Sequence, residues 1–223
     1  MILSVMSVRD FHGWSQALSF LAAVSPQALF EPLNDFGPRE TIEAAWISFG
    51  LYWLIAARGR QPAQRREPPA ERMFHVLWMI GAAYLLFRYD PRLGALNRRF
   101  LPPGLWIAEL GAAVTIVGIG IAIWARWHLG KNWSAEVSIR EGHSLIRSGP
   151  YKYVRHPIYS GMLLGILCTA VATGEYRGLA ALAIFWIGWA QKARKEESFL
   201  AQEFGPAFAE HKRLTGFFLP RIG

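Results

Sequence analysis

Charged residues are scarce in this chain: they make up 18% of its 223 residues, against roughly 25% in an average soluble domain. Hydrophobic residues make up 52%. The charge deficit is uneven, with basic clusters alternating with long apolar runs, the pattern of a polytopic membrane protein. Cysteine is almost absent. The one copy, Cys168, excludes an intramolecular disulfide and any multi-cysteine metal site. Its neighbours Leu167, Thr169 and Ala170 mark it as a packing residue rather than a reactive thiol. No metal is expected. The chain also lacks a glycine-rich GxGxxG loop, so nothing is in place to cradle a dinucleotide phosphate. The first thirty residues lack a basic start followed by an apolar core and a small-residue cleavage site, and no cleaved signal peptide is expected there. The formal net charge is +8, but the lysines and arginines fall between apolar runs and build no continuous basic face, which argues against nucleic acid. Juxtamembrane charge facing anionic headgroups accounts for them.

What is present is a series of apolar runs. Residues 41–57 and 73–87 each read as a span, the second closed by Arg88, Asp90 and Pro91. Residues 104–125 form the strongest span, with Trp106 near one end and Trp124 and Trp127 near the other as interfacial anchors. Glu109 lies inside it and is expected to face protein or water rather than lipid. Runs 157–173 and 178–190 read as a helical hairpin turned at 174–177, the second helix continuing through Gln191 to Phe204 into the aqueous layer. Residues 14–30, interrupted by Pro26, read as an interfacial helix or a weak span. The expected fold is therefore all-α, a polytopic transmembrane helix bundle of about five spans. It carries a long polar loop, expected on the cytoplasmic side, and a C-terminal helix. An N-terminal membrane-helix region, 1–103, precedes a functional core, 104–223, whose working parts are the loop 126–161 and the tail 191–223.

Orientation follows from the basic residues. Loop 58–72, segment 126–156 and the tail hold 17 of the 24 Lys/Arg residues, and the positive-inside rule places all three on the cytoplasmic side. The N-terminus, the 88–103 loop and the 174–177 turn then lie opposite.

Two stretches are too polar and too specific in residue type to be plain connectors. The first, GHSLIRSGPYKYVRHPIYSG from Gly142 to Gly161, leads directly into a span. Pro157 suits the first turn of that helix. The amides of Ile158, Tyr159 and Ser160 would then stand among the helix's unsatisfied donors, where an anion binds. Gly149-Pro150 supplies a turn, and Tyr151, Tyr153 and Tyr159 offer flat faces to an adenine ring. Gly161 and Gly165 have a packing reading too, since small residues four apart let helices approach closely. The second stretch runs from Lys192 to Leu214, KARKEESFLAQEFGPAFAEHKRL. Its paired carboxylates, Glu196 and Glu197, could hold a ligand's ammonium group or merely line a solvated helix face. Lys192 and Glu196 form an i,i+4 pair in the less favourable order.

Together with Arg126-Trp127-His128-Leu129-Gly130, these stretches resemble the isoprenylcysteine carboxyl methyltransferase and phospholipid methyltransferase superfamily over about residues 104–220. The RHPxYxG core followed by EE…FG carries the resemblance. It implies S-adenosylmethionine as cofactor, lined by His143, Ser144, Leu145, Ile146, Tyr151, His156, Pro157, Ile158 and Tyr159. Glu196 would take the amino group of the methionine portion, and Glu136 matches a further cofactor-contacting position. The prenylcysteine enzymes place a substrate-contacting arginine four residues before that glutamate, whereas this chain has Lys192, which keeps the charge but not the bidentate fork. Arg194 and Arg126 are the other cations available to a substrate.

The expected activity is methyl transfer at the membrane interface, to the carboxylate of an isoprenylcysteine-like lipophilic substrate drawn from the bilayer among its lipids. A carboxylate is already anionic near neutral pH and needs no general base. An amine lipid would need one, with His156 and His128 as candidates. A lipophilic thiol or phenol is a third substrate class. A membrane scaffold or carrier, the rival from outside enzymology, leaves the polar loop and acidic tail without a purpose.

Overall fold

The apolar runs form five α-helices in this computed structural model, which describes residues 36–56, 69–130 and 145–221. Residues 14–30, most of the 58–72 loop, and Glu136, His143 and Ser144 lie outside the described residues. The helices are α1 (Pro38–Ala56), α2 (Pro69–Phe87), α3 (Leu105–Leu129), α4 (Pro157–Thr173) and α5 (Tyr176–Leu214). Among the described residues there is no named strand, only two isolated bridges, Arg99 with Glu175 and Val154 with Gly216. The fold is all-α. Helix α3 is the one described helix both long and apolar enough to cross a membrane unaided; Val76–Phe87 and Pro157–Thr173 are shorter apolar stretches.

Local chemistry sets the helix ends. Proline opens α1, α2 and α4, where a missing N–H costs nothing. Gly174 closes α4 in the left-handed conformation (φ 68°), which a side chain would resist. After α2, the Asp90 side chain accepts from the Arg92 amide at 2.9 Å and starts the 3-10 turn Pro91–Asn97. Helix α2 begins four residues earlier than its apolar run, because Pro69 already supplies a helix start.

Helices α3 and α4 form the most intimate pair. A Cβ on Gly118 would lie 2.6 Å from the Gly161 carbonyl oxygen and 2.7 Å from the Gly165 nitrogen. One on Gly161 would meet the Gly118 oxygen at 2.5 Å. The two backbones touch because both helices present small residues along one stripe. The packing reading of Gly161 and Gly165 is the correct one here. Thr115, fully buried in this seam, donates to the Gly111 carbonyl (2.8 Å) and lies 3.3 Å from the Thr169 hydroxyl, which accepts from Trp46 of α1 (3.1 Å). A polar thread thus joins α1, α3 and α4 where an unpaired hydroxyl would be costly.

A second core joins α2, α4 and α5 through Ala82, Leu86, Leu163, Ile166, Ala181, Phe185 and Trp189. Arg177, 6% exposed, donates to the carbonyls of Leu85 (2.8 Å), Leu86 (3.0 Å) and Arg88 (3.2 Å) and pairs with Glu175. It satisfies the C-terminal carbonyls of α2, which favour a cation. Glu109 is exposed, one turn into α3, which leaves the water half of its expected surroundings and not the protein half.

Candidate active site

The site is built where α4 begins, α5 passes and the chain returns after α5. Helix α5 runs 39 residues but breaks direction at Gly205 (φ 45°), followed by Pro206. Proline cannot donate to the preceding turn, and glycine adopts the positive φ that the change of direction requires. After the kink, the segment to Leu214 turns back toward the loop before α4. The tail then pairs with that loop: Gly216 donates to Tyr153 (3.1 Å), Arg155 to Gly216 (2.9 Å) and His156 to Phe217 (3.3 Å) through backbone groups. The Ser160 hydroxyl donates to the Phe218 carbonyl at 2.6 Å.

The two adjacent glutamates have different surroundings. Glu197 is buried, with Arg155 Nε at 2.6 Å, Lys212 Nζ at 2.8 Å and His156 Nε2 at 3.4 Å. Burial opposes its charge, but the bonds from His156, Lys212 and Arg155 outweigh burial and hold its pKa down to about 2. Glu196 retains 27% exposure of its side chain; it accepts from the Tyr159 hydroxyl at 3.0 Å and faces His156 Nδ1 at 3.6 Å. Burial pushes its pKa up, yet His156, Lys192 and the Tyr159 hydroxyl together bring it below the ordinary carboxylate range. His156, 6% exposed between the two carboxylates, is held above the ordinary histidine range because their bonds and charges outweigh the desolvation that opposes its proton.

Aromatic rings fix these groups. Tyr159 stacks on Trp189 (5.6 Å between centroids) and on His156 (5.9 Å), while Phe217 and Phe218 approach His156 edge-on at 5.1 and 6.1 Å. Tyr159 therefore serves the site with its hydroxyl, and its ring is committed to packing. Tyr151 is buried against Ala125 and Ile158 and stacks with His128 at 6.5 Å; burial and then the Glu196 charge push its hydroxyl pKa up. Of the three tyrosines proposed to cover a ring, Tyr153 has the exposed face.

Pro157 and Ile158 are core residues, and Ile146 packs against the cluster that holds Ile158. Leu145 and Ile146 are half-buried. The Ser160 amide is not an open donor, because it bonds the His156 carbonyl at 3.0 Å as the first internal bond of α4. The Ile158 amide, two residues nearer the start, precedes the first carbonyl the helix can offer it.

The three candidate cations separate. Lys192 is half-buried one turn before Glu196 and acts on its charge. Arg194 is exposed and, two residues on at about 100° each, points away from the Lys192–Glu196 face. Arg126 donates to the Ala56 carbonyl (3.1 Å) and the Gly130 carbonyl (3.3 Å), tying the ends of α1 and α3. His128 pairs with the Ser148 hydroxyl at 2.9 Å.

Sequence reasoning did not select Arg155, Lys212, Phe217 or Phe218 for the site, and it took Ser160 by its amide rather than its hydroxyl. Arg155 stood inside the RHP motif, and the adjacent aromatic pair Phe217-Phe218 was the available signal in the tail.

The chain is similar to proteins of known family and fold. The phospholipid methyltransferase family model matches residues 106–207. Protein-S-isoprenylcysteine O-methyltransferase A of Arabidopsis thaliana is 31% identical over 65% of this chain and 77% of its own length. The cobalt-zinc-cadmium resistance protein CzcN of Cupriavidus metallidurans is 36% identical over 53% of each chain. The chain thus spans about half the length of some of the curated relatives it matches. Among solved structures, the eukaryotic intramembrane Ras methyltransferase ICMT superposes with a TM-score of 0.55 at 20% identity, over 83% of this chain and 68% of that one.

Proposed function

Since the chain belongs to the isoprenylcysteine carboxyl methyltransferase and phospholipid methyltransferase superfamily, we propose that it is a multi-pass membrane enzyme using S-adenosylmethionine to methylate a lipophilic carboxylate at the cytoplasmic face. The observation that carries this reading is Glu196, an ionised, partly open carboxylate on α5 beside the start of α4, gripped by Tyr159 and facing His156. The donor set fits the cofactor's amino group. A carboxylate has about four lone-pair sites, and the Tyr159 hydroxyl takes one of them.

The resemblance adds Glu136, His143, Ser144, Leu145, Ile146 and Tyr151 to the residues that would line the cofactor, with His156, Pro157, Ile158 and Tyr159 at its floor. When bound, S-adenosylmethionine supplies a methyl group on a sulfonium, which an anionic oxygen accepts directly, leaving a neutral thioether. Glu196 holds the ammonium end, and the Ile158 amide at the α4 N-terminus offers a donor to an anionic group. Lys192, one turn toward the membrane from Glu196, orients the substrate carboxylate. Alignment and exclusion of water do most of the work, and a lysine's point charge grips the ground-state carboxylate less tightly than a fork would. Arg126, committed to two carbonyls, and Arg194, on the other face, rank behind it.

The matched family's description favours a second reading, methylation of a phospholipid amine. That chemistry needs a proton acceptor. His156 lies between two carboxylates that favour its proton, and His128 is bonded to Ser148. The deciding experiment incubates purified protein with methyl-labelled S-adenosylmethionine and membrane extract, then treats the product with alkali. A methyl ester releases volatile labelled methanol. Label retained in the lipid fraction transfers the assignment to nitrogen or sulfur, and no labelled product removes the enzyme reading.

A further inference from the structure

Two arginines of the loop before α4 reach across to the same returning segment. Arg147 pairs with Glu210 (3.1 Å) and donates to the Ala207 carbonyl (2.5 Å). Arg155 donates to Glu197 (2.6 Å) and to the carbonyls of Thr215 (2.5 Å) and Lys212 (3.3 Å). Lys212 closes the circuit on the other oxygen of Glu197 at 2.8 Å. One buried carboxylate thus joins α5 before the kink, the same helix after it, and the residue preceding His156.

A carboxylate needed only for solubility would face water, and an unpaired one would carry a large desolvation cost. Glu197 does neither: its side chain is 7% exposed and its partners are two cations and an imidazole edge. What the cluster holds in place is the tail. Phe217 and Phe218 back the ring of His156, Phe218 also backs Tyr159 at 6.1 Å, and the Phe218 carbonyl anchors Ser160 in the first turn of α4. His156 and Tyr159 both face Glu196. Arg155 and Lys212 do not touch Glu196, and Glu197 reaches it only through His156, at 3.4 Å; what they fix lies behind the His156 and Tyr159 contacts to Glu196.

We propose that Glu197, Arg155 and Lys212 are positioning residues that clamp the returning tail over the loop and so set the geometry in which Glu196 receives the cofactor. This rests on the cofactor reading above. Arg155 cannot be replaced by another cation in this role, because it serves a carboxylate and two carbonyls at once and only a planar fork with several donors does so.

The test measures S-adenosylmethionine affinity by calorimetry and methyl transfer to membrane extract at saturating cofactor, on the full chain in detergent. It compares the unmutated protein with Arg155→Lys and Lys212→Met. Arg155→Lys should weaken cofactor binding about tenfold while transfer at saturation stays within about twofold, the signature of lost binding geometry rather than lost chemistry. Lys212→Met, at a half-exposed position that folding tolerates, should weaken binding by a smaller factor and speed tryptic cutting after Arg213. Folded variants that bind the cofactor as tightly as the unmutated protein would overturn the clamp. If Arg155→Lys fails to fold, Lys212→Met decides: unchanged affinity rejects the proposal and weakened affinity upholds it. An unmutated protein that binds no cofactor rejects the methyltransferase reading itself, which the variants alone could not do.

Discussion

Adjacent glutamates on one helix turn point about 100° apart, and here that angle divides two jobs. Glu197 points into the ion cluster and Glu196 toward the opening beside Tyr159. Glu196→Gln should weaken S-adenosylmethionine binding by about 1–3 kcal/mol, the cost of losing a charge-assisted bond. Tyr159→Phe keeps the packing against Trp189 and should cost about 1 kcal/mol for the lost hydroxyl. Calorimetry reads both, and equal affinities for all three proteins would remove Glu196 from the site. The pH dependence follows from the same cluster. His156 has a raised folded pKa, so its stabilisation is complete below the unfolded value and disappears as pH rises through the folded one. Glu196 and Glu197 have lowered values, so their stabilisation is present above ~4.3 and is lost as pH falls, for Glu197 through about 2. His211 acts oppositely to His156: burial and then Arg147 and Arg155 depress its pKa, and it costs stability as pH drops below the unfolded value. Melting temperatures of the unmutated protein and His156→Gln should therefore diverge at mildly acidic pH and converge on the alkaline side. Parallel curves would show that His156 is not charged in the folded state.

At the scale of elements, the α3–α4 contact is the firmest commitment in the fold. Gly118→Ala drives a methyl into two backbone atoms of α4 at 2.6 and 2.7 Å, and neither belongs to a side chain that can swing away. A loss of roughly 1–3 kcal/mol is expected from such overpacking. Gly120→Ala, on the same helix with nothing within 4 Å, is the control and should be neutral or slightly stabilising. Thermal melts of the two variants decide it, and equal stability would mean that the helices are farther apart. The helices themselves were legible in the residues, because apolar run length, Pro157 and Gly174 are local signals. The span 157–173 is reproduced at both ends, and the continuation of α5 through Phe204 is present. What was not legible is long-range. The parallel pairing of Val154 with Gly216 has no periodicity to betray it. The kink at Gly205-Pro206 reads locally as a helix end, although the helix resumes beyond it. The same blindness hid the partners of Glu197, which sit up to 42 residues away in sequence.

For the whole molecule, the contacts sort the chain ends into two groups. Arg98–Leu101 bonds with Gly174 and Tyr176, so the loop after α2 and the α4–α5 turn share one end of the bundle. At the other, Arg126 bonds the end of α1, and residues 147–156 bond the tail. In the sequence, 17 of the 24 lysines and arginines fall in segments 58–72, 126–156 and 191–223, which the positive-inside rule assigns to the cytoplasmic side. Trp106 at one end of α3 and Trp124 and Trp127 at the other are all exposed. The eighteen residue steps from Trp106 to Trp124 span about 27 Å at helical rise, close to the ~30 Å hydrocarbon core that such rings flank. We propose that the membrane lies across α3 with Glu196 on its basic side, where the lipophilic substrate proposed above would present its polar end. A cysteine placed at Gln202, exposed on α5, should react with impermeant maleimide only from the cytoplasm, and one at Ala95, exposed in the turn after α2, only from outside. Cys168, within α4, should stay unreactive in intact membranes. Labelling of both engineered sites from one side would place the two ends of the bundle together and discard the transmembrane arrangement; exchanged sides would keep the arrangement and invert it, moving the cofactor site to the face where the positive-inside rule does not put it.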